Sequence, residues 1–395
     1  MESSIWEDIK NDIPTFEKYL ENSPDIQKIH YWNLPNHVVV DISNFKLRSP
    51  SLSVNKPTIK TIKKLVGKNS KIEKKIIKIV NSSMKRFDLN MNLPLKLNNR
   101  AYVSLYSLMI SEGSHKNEFR LQVPEKELHQ IFLSSLENLF PNNDFSKIYS
   151  INTDNGVLRS TASSIFRYII PIPAVIPKFI LKSKEFSRIY LRIAFEAEGS
   201  ALTEGKIQIS RSIGLPKELK IIGAPGDRIY MGKIKEKYPK IYLQILKHLP
   251  STLLGEYLML KNNFGIECRL TPESVRINKT IARRGRYSAK WKLIITSINK
   301  NKFAKEIGFL SKSKNNKLII AATVPIRKPK FFALQKMVEM SKGNVFTRKE
   351  FIENMKNVYK HPKSFIKTYN DTGVIKRVGR GKYKIINSSP QERRH

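Results

Sequence analysis

Apolar and polar residues repeat with two different periods along the middle of the chain, and they do so twice in the same order. Residues 102–111 keep apolar positions three and four apart, which predicts a helix, and residues 118–123 alternate with period two, which predicts a strand. A second helical pattern at 187–197 precedes a second alternating stretch at 206–210. This repeated order predicts an α+β fold built on an internal duplication of αββαββα type.

The pattern also predicts the later elements of each copy. In the first copy, residues 125–140 predict a helix, and strand-like stretches follow between 147 and 169. In the second copy, an insertion at 214–250 separates the first strand from a helix, two strands and a final helix, which we expect at 252–264, within 267–297 and at 301–307. The domains we expect are a basic, mostly helical region at 1–94, a first repeat at 95–186, a second repeat at 187–324 and a C-terminal domain at 331–387.

The C-terminal domain has its own pattern. Helices are expected at 332–341 and 348–357, the second with Thr347 and Glu350 in a capping box, and Pro362 opens a third helix. The sequence VIKRVGRGKYKI then predicts two strands joined at residues 379–381. Three helices followed by a basic hairpin predict a winged-helix DNA-binding domain, with the proline-containing stretch 325–329 as its linker.

The net charge of the chain indicates what kind of partner it binds. The chain has 72 Lys and Arg against 33 Asp and Glu, a formal net charge of +39, and a single cysteine, Cys268. Such an excess repels itself unless a polyanion neutralises it, so we expect a nucleic acid, with an anionic membrane surface as the second choice. The stretch 56–86 is especially basic and could form a small DNA-binding unit or a merely solvated face. No apolar run reaches the roughly 18 residues of a membrane span, so we expect a soluble, cytoplasmic protein.

Two glutamate–glycine pairs stand at the ends of the repeated helices, in LYSLMISEG at 105–113 and LRIAFEAEG at 191–199. Small residues within both helices would let them pack closely side by side in parallel, which would bring Glu112 and Glu198 together. Two carboxylates at helix C-termini repel each other, and Mg²⁺ or another divalent cation with oxygen ligands would relieve this repulsion. The chemistry that this arrangement predicts is metal-assisted hydrolysis of a nucleic-acid backbone. The alternative is that each glutamate is a solvated residue before a capping glycine.

These two motifs resemble those of the LAGLIDADG homing endonucleases. The resemblance also includes FGIECRL at 264–270 and EIGFLSKSKNNKL at 306–318, and it covers residues 95–322. It implies an intron-encoded, single-chain nuclease, monomeric with internal pseudo-twofold symmetry, whose two sheets form a saddle over double-stranded DNA. The chain departs from the family pattern at Ile110, where an acid is common, and at Ile193, where a small residue is usual.

The resemblance also implies residue roles. Glu112 and Glu198 would be the metal ligands and catalytic acids, and a basic residue from each sheet would assist them. Lys290 and Lys292 are our candidates in the second repeat, and Arg159 is the candidate in the first.

Strand alternation and basic loops predict the DNA-binding residues. Arginine and glutamine on one face of a strand can contact guanine and adenine in the major groove, whereas loop arginines more often hold phosphates. The alternative is a basic surface that contacts no bases. The candidates are Arg120, Gln122, Lys206, Gln208, Ser210, Lys279, Arg283, Arg284 and Arg286 in the repeats and Lys363, Ser364, Lys367, Tyr369, Lys376, Arg377, Arg380 and Lys382 in the C-terminal domain.

Two other functions are compatible with the same sequence. One is a DNA-binding transcriptional regulator on this scaffold that does not cleave. The other is a maturase that binds intron RNA and promotes splicing. Retention of an acid in both motifs favours the nuclease, because a protein that only binds has no need of these carboxylates.

Overall fold

The computed structural model of the chain describes residues 2–30, 74, 85–115, 117–201, 206–219, 221, 223–279, 286–323, 333, 336–338, 340, 345–356, 362–371 and 374–386. Most of the basic stretch at 56–86 lies outside these residues, as do the linker at 325–329 and the arginines Arg283 and Arg284.

The described residues contain both helices and antiparallel sheets, as expected for an α+β protein. The helices are α1 Glu2–Ile9, α2 Phe16–Asn22, α3 Arg100–Ser111, α4 Lys126–Leu139, α5 Phe145–Ile148, α6 Phe166–Ile169, α7 Lys178–Lys182, α8 Lys184–Glu198, α9 Met231–Lys237, α10 Pro239–Leu246, α11 Ser251–Phe264, α12 Lys300–Glu306, α13 Lys312–Thr323, α14 Arg348–Met355 and α15 Lys363–Asp371. The strands are β1 Lys28–Ile29, β2 Leu95–Lys96, β3 Gly113–Ser114, β4 Phe119–Gln122, β5 Tyr149–Asp154, β6 Val157–Ala162, β7 Gly199–Ala201, β8 Ile207–Gly214, β9 Arg228–Tyr230, β10 Cys268–Ile277, β11 Tyr287–Ile295, β12 Val345–Thr347, β13 Ile375–Gly379 and β14 Lys382–Ile385.

The chain divides into two compact units. The first unit is Glu17–Ala197, and the second unit combines Met1–Phe16 with Glu198–His395. The N-terminal helix α1 therefore belongs to the same unit as the second sheet. Helix α8 belongs to the first unit except for its last residue, Glu198.

The first unit contains an antiparallel sheet of order β3-β4-β6-β5. On β4, Phe119 and Leu121 are fully buried while Arg120 and Gln122 are partly exposed, so the predicted alternation is present. His129 of α4 is buried, and its ring contacts the Ser160 hydroxyl at 2.6 Å and the Val123 carbonyl at 2.9 Å. Because both ring nitrogens have partners within the core, His129 is a structural histidine.

The second unit contains a five-stranded antiparallel sheet of order β7-β8-β11-β10-β9. Helix α11 contacts β8, β10 and β11, and one face of the sheet is apolar. Fully buried residues on that face are Ile207, Ile209, Val275, Ala289, Trp291 and Leu293. The opposite face is mainly polar and carries Gln208, Ser210, Ser274, Arg276, Lys290 and Lys292.

The N-terminal stretch differs from the single helix-like segment that its pattern predicts at residues 5–21. Helix α1 ends at Ile9, a short 3₁₀ turn follows, and α2 begins at Phe16. The cause is Pro14, which disfavours helical geometry at the preceding residue, and Ile13 is extended with φ −73° and ψ 124°. Helix α1 contacts β10, and the Trp6 ring lies 5.9 Å from that of Tyr257.

The C-terminal elements form a small core of their own. Strands β12, β14 and β13 make an antiparallel sheet, and β13 and β14 are joined through Gly381, whose φ is +67°. Thr347 and Glu350 form the predicted capping box at the start of α14. The core includes Phe346, Phe351, Ile366 and Tyr369.

Among the described residues, no helix is both long and apolar enough to cross a membrane.

Asp8 links α1 to the helices inserted between β9 and α11. Its carboxylate accepts hydrogen bonds from the Tyr242 hydroxyl at 2.8 Å and the Lys235 ammonium at 3.0 Å. These two partners, Tyr242 first, hold the pKa of Asp8 below its ordinary value despite the opposing effect of burial. Because the folded pKa is the lower one, this group stabilises the docked helix above its unfolded pKa, and the contribution is lost as the pH falls through the folded pKa.

We therefore expect Asp8→Asn to speed hydrogen exchange in residues 2–9 about fivefold at pH 7, equivalent to about 1 kcal/mol for a partly exposed ion pair. The difference from the wild-type protein should shrink as both are acidified below the folded pKa of Asp8. Asp12→Asn, at a nearby exposed position, is the matched control. Equal exchange in the two variants at pH 7 would contradict the role of Asp8.

Candidate functional site

The two motif helices, α3 and α8, pack side by side within the first unit. The Ser107 hydroxyl donates a hydrogen bond of 2.8 Å to the Tyr190 carbonyl, and both residues are buried. Near the start of the same helices, the Arg100 guanidinium lies 2.5 Å from the Glu185 carboxylate. Contact between start and start and between middle and middle means that the helices run in the same direction. The predicted parallel packing is therefore present from Arg100 to Ser107.

The glutamate of the first motif stands at the exposed end of α3. Glu112 is the C-cap residue, and its backbone N–H donates to the Leu108 carbonyl. The next residue, Gly113, begins β3, and a Cβ atom placed there would lie 2.5 Å from the Cα of Met109. Only glycine fits at this position, because the chain turns from helix to strand directly against the helix backbone. The glycine of this motif therefore serves the turn that places the glutamate.

The glutamate of the second motif lies beside a buried arginine. Glu198 is the last residue of α8 and its side chain is 30% exposed, and Arg211 Nη1 lies 3.4 Å from its Oε1. Arg211 also donates to Glu256 Oε1, from Nη2 at 2.6 Å and from Nε at 3.2 Å. Arg211 and Glu256 are both buried, so one guanidinium joins two carboxylates within the second unit.

Arg211 and Glu256 are not among the site residues predicted from the sequence. The signal was present, because Arg211 follows Ile207 and Ile209 at the core-facing positions of the same alternating strand. Glu256 likewise stands in the middle of an otherwise apolar stretch of α11. A charge at a position that the pattern assigns to the core indicates a buried partner of opposite charge.

Lys290 and Lys292, our candidates for catalytic lysines, share one carboxylate. Lys292 Nζ lies 2.9 Å from Glu273 Oε1, and Lys290 Nζ lies 3.2 Å from Glu273 Oε2. Burial raises the pKa of Glu273, but the hydrogen bonds and charges of Lys292 and Lys290 outweigh that effect and leave the pKa below its ordinary value. Glu273 therefore stays ionised at neutral pH and holds both ammonium groups. It occupies a bulge in β10 between Pro272 and Ser274, which the sequence pattern did not reveal.

The sheet of the first unit has a comparable arrangement around Glu118. Its carboxylate lies 2.9 Å from the Arg120 guanidinium and 2.8 Å from that of Arg159, and Arg159 also lies 3.4 Å from Asp154. Gln122 is opposite Arg159 in the register of β4 and β6. Three of the predicted residues in this repeat are thus neighbours on one sheet face, and two of them share a carboxylate.

The other candidates in the second repeat differ in accessibility. Ser210 is partly exposed and is paired with Lys292 in the sheet register, but Gln208 is only 8% exposed. Lys206 precedes β8 directly, and Lys279 and Arg286 are exposed on the two sides of residues 280–285. The Arg286 guanidinium lies over the Tyr287 ring at 5.4 Å. The positions on β8 are therefore less accessible than the strand pattern alone suggests.

In the C-terminal elements, the structure contradicts one predicted DNA-binding residue. Tyr369 is fully buried in the small core, so it supports α15 from within and does not face outward. The other candidates there are exposed: Lys363, Ser364, Lys367, Lys376, Arg377, Arg380 and Lys382.

The glutamates at the ends of the two motif helices provide some of the ligands that a hard divalent cation requires. Glu112 is exposed and Glu198 is partly exposed, and carboxylate oxygens are the ligands that Mg²⁺ prefers. The described residues contain no group of three or more His, Cys, Asp and Glu side chains that could hold a metal by themselves. The Arg211 guanidinium is a competing cation for Glu198.

Comparison with solved structures finds similarity to the homing endonuclease I-DmoI. Structures of mesophilic variants of I-DmoI match with a TM-score of 0.30 and 14% identity over 54% of this chain and 97% of that chain. I-DmoI in complex with DNA and calcium matches with a TM-score of 0.29 and 14% identity over 53% of this chain and 90% of that chain. I-DmoI in complex with DNA and manganese matches with a TM-score of 0.28 and 14% identity over 53% and 98%. No protein-family model and no curated protein matches this chain.

The buried ion pair yields a prediction about stability. Arg211→Met leaves the buried Glu256 carboxylate without its guanidinium, and we expect the free energy of local unfolding of β8 and β11 to fall by about 3–5 kcal/mol. The double variant Arg211→Met/Glu256→Met removes both charges and should recover most of that loss. Both can be measured by hydrogen exchange of β8 and β11 in increasing urea.

Arg269→Met, at an exposed position of the same sheet, is the control and should change the free energy by less than about 0.5 kcal/mol. If the double variant were as unstable as Arg211→Met, shape and packing rather than charge would explain the loss.

Proposed function

We propose that this protein is a metal-dependent endonuclease that binds double-stranded DNA and hydrolyses its backbone. The observation that carries the proposal is the parallel packing of α3 and α8 through Ser107 and Tyr190, since both helices end at the glutamate of their motif. The net charge of +39 supports a polyanionic partner. We further propose that the two repeats form a duplicated LAGLIDADG-type fold and that cleavage is specific to a DNA site.

The proposed metal ligands are Glu112 and Glu198. A bound divalent cation would activate a water molecule and stabilise the leaving oxygen of the phosphodiester. Gly113 fixes the turn that follows Glu112, and Arg211 restrains the Glu198 carboxylate from the buried side. Lys290 and Lys292 would contribute positive charge near the scissile phosphate, with Glu273 holding both ammonium groups in position.

DNA binding would involve the polar faces of both sheets and the C-terminal elements. Arg120, Arg159 and Gln122 share one face in the first repeat. We propose that the elements from Val345 to Ile385 are a winged helix, with Lys363 and Lys367 on its recognition helix and Arg377 and Arg380 on its wing. Their exposure and charge support phosphate contacts that extend the bound length of DNA.

A second function is favoured by one specific contact. Because the Arg211 guanidinium lies 3.4 Å from Glu198, that carboxylate has a cationic neighbour without any metal. This arrangement favours a protein that binds DNA on the same surface and does not cleave it, such as a transcriptional regulator. A third function is a maturase that binds intron RNA, and a parallel incubation of the protein with intron RNA tests it.

The decisive assay incubates the full-length protein with a library of random DNA duplexes and Mg²⁺, and in parallel with EDTA. We expect double-strand breaks only with the metal. Glu112→Gln and Glu198→Gln should each lower the cleavage rate by more than the roughly 10–100-fold that changes in outer-shell partners cause. Binding should be retained or strengthened, because each substitution removes a negative charge that repels phosphate.

Glu127→Gln removes the same charge at an exposed position in the first turn of α4 and should leave cleavage unchanged. Binding without cleavage by the wild-type protein would support the regulator, and preference for intron RNA would support the maturase.

A further inference from the structure

The inserted segment between the first two long strands of the second repeat adds a strand to the sheet. Strand β9, Arg228–Tyr230, pairs antiparallel with β10, with Arg228 opposite Arg276 and Tyr230 opposite Ser274. Two further backbone hydrogen bonds continue the pairing, from Gly226 to Ile277 at 2.7 Å and from Ile277 to Asp227 at 2.9 Å. The backbone of β9 is therefore fixed to the sheet before any ligand binds.

The register determines which face each β9 residue occupies. Residues directly opposite on adjacent strands point to the same face of a sheet. Ser274 is opposite Tyr230 on one side and Lys290 on the other, so Tyr230 shares a face with Lys290. Ile229 is opposite Val275, a buried residue of the apolar face. Strand β9 thus extends the polar face of the sheet with Arg228 and Tyr230.

Two arginines stand directly opposite each other at this edge. Arg228 and Arg276 are both exposed, and among the described residues neither guanidinium makes an ion pair or a side-chain hydrogen bond. Like charges at directly opposite positions destabilise a sheet. The lysines on the same face differ, because Glu273 neutralises part of their charge. Among the described residues no carboxylate pairs with either arginine, and an external anion would relieve their repulsion.

We propose that Arg228, Tyr230 and Arg276, here called the β9 patch, bind the phosphate backbone of duplex DNA beyond the part covered by strands β7, β8 and β11. Guanidinium groups bind phosphate oxygens in bidentate fashion, and the Tyr230 side chain is 55% exposed and offers a hydroxyl donor. The proposal rests on the proposed function, because it extends the same DNA-binding face. The first unit's sheet ends at β5 in the described residues, so the extension belongs to the second repeat.

The β9 patch suits phosphate better than base edges. It lies on the edge strand β9 and on its neighbour β10, and its donors are two guanidinium groups and the Tyr230 hydroxyl. The row of the two arginines continues from Arg276 to Ser288 and contains no amide or carboxylate side chain. Base reading in the major groove uses donor and acceptor patterns, whereas paired arginines alone satisfy adjacent phosphate oxygens. The contact should therefore strengthen binding to every duplex and carry little sequence preference.

The test measures duplex binding by full-length protein across a series of salt concentrations, using fluorescence anisotropy with a random-sequence duplex. The slope of log affinity against log salt concentration is negative, and each lost phosphate contact makes it shallower by about 0.9. Arg228→Gln/Arg276→Gln should therefore make it shallower by about 1.8. The same change corresponds to a loss of about 30-fold at 0.15 M salt. Thermal stability should be unchanged or raised, because the variant removes a repulsive pair.

The matched control is Lys233→Gln/Lys237→Gln, which removes two exposed charges from α9 outside the sheet face. It should change the slope by less than about 0.5. A second readout is the hydroxyl-radical footprint on a duplex selected by the wild-type protein, which should shorten on one side only in the arginine variant.

The outcomes separate this inference from the proposed function. If the wild-type protein showed no salt-dependent binding to duplex DNA, both would be overturned. If the wild-type protein bound DNA and the arginine variant kept its slope and footprint, or lost no more than the lysine control, the β9 patch alone would be overturned.

Discussion

The Ser107 hydroxyl can reach the Tyr190 carbonyl only where two helix backbones approach closely, because a serine side chain ends one atom beyond Cβ. That contact fixes the parallel alignment of α3 and α8, and the ion pair between Arg100 and Glu185 supports the alignment near the helix starts. Ser107 is fully buried, so a larger side chain would not fit at this position. The direction in which each chain leaves its motif helix also depends on a close approach, since Gly113 turns against the backbone of Met109.

In each of the two large sheets, a single carboxylate pairs with two cationic side chains. Glu118 holds Arg120 and Arg159 in one unit, and Glu273 holds Lys290 and Lys292 in the other. Each carboxylate limits the repulsion between two neighbouring cations and restricts their side-chain freedom. A phosphate that binds these cations must share them with the carboxylate. A phosphate in direct contact with both cations is therefore favoured over one that lies farther away.

The second unit also has a charged residue on the apolar face of its sheet, Arg211 on β8. A guanidinium buried between Glu198 and Glu256 costs desolvation energy that its two carboxylates offset. The contact also joins the motif helix, the sheet and α11 at one point. Glu198 is therefore held by the core of its own unit, so the position of its carboxylate depends on the stability of that unit.

The sequence by itself determined the α+β class, the two motif helices, the alternating strands and the capping box at Thr347, because these depend on local periodicity and on short-range hydrogen bonds. The break near Pro14 was not predicted, because the helical pattern of residues 5–21 continues across it.

Only the tertiary structure decided which side chains meet. The pairing of Glu273 with two lysines depends on a bulge, the pairing of Arg211 with Glu256 joins residues 45 positions apart, and the register of β9 places Arg228 opposite Arg276. Tyr369 is part of the small C-terminal core, and the helix pattern alone did not distinguish this core position from one on the binding face. These contacts depend on strand register and on packing between distant segments, which local periodicity does not encode.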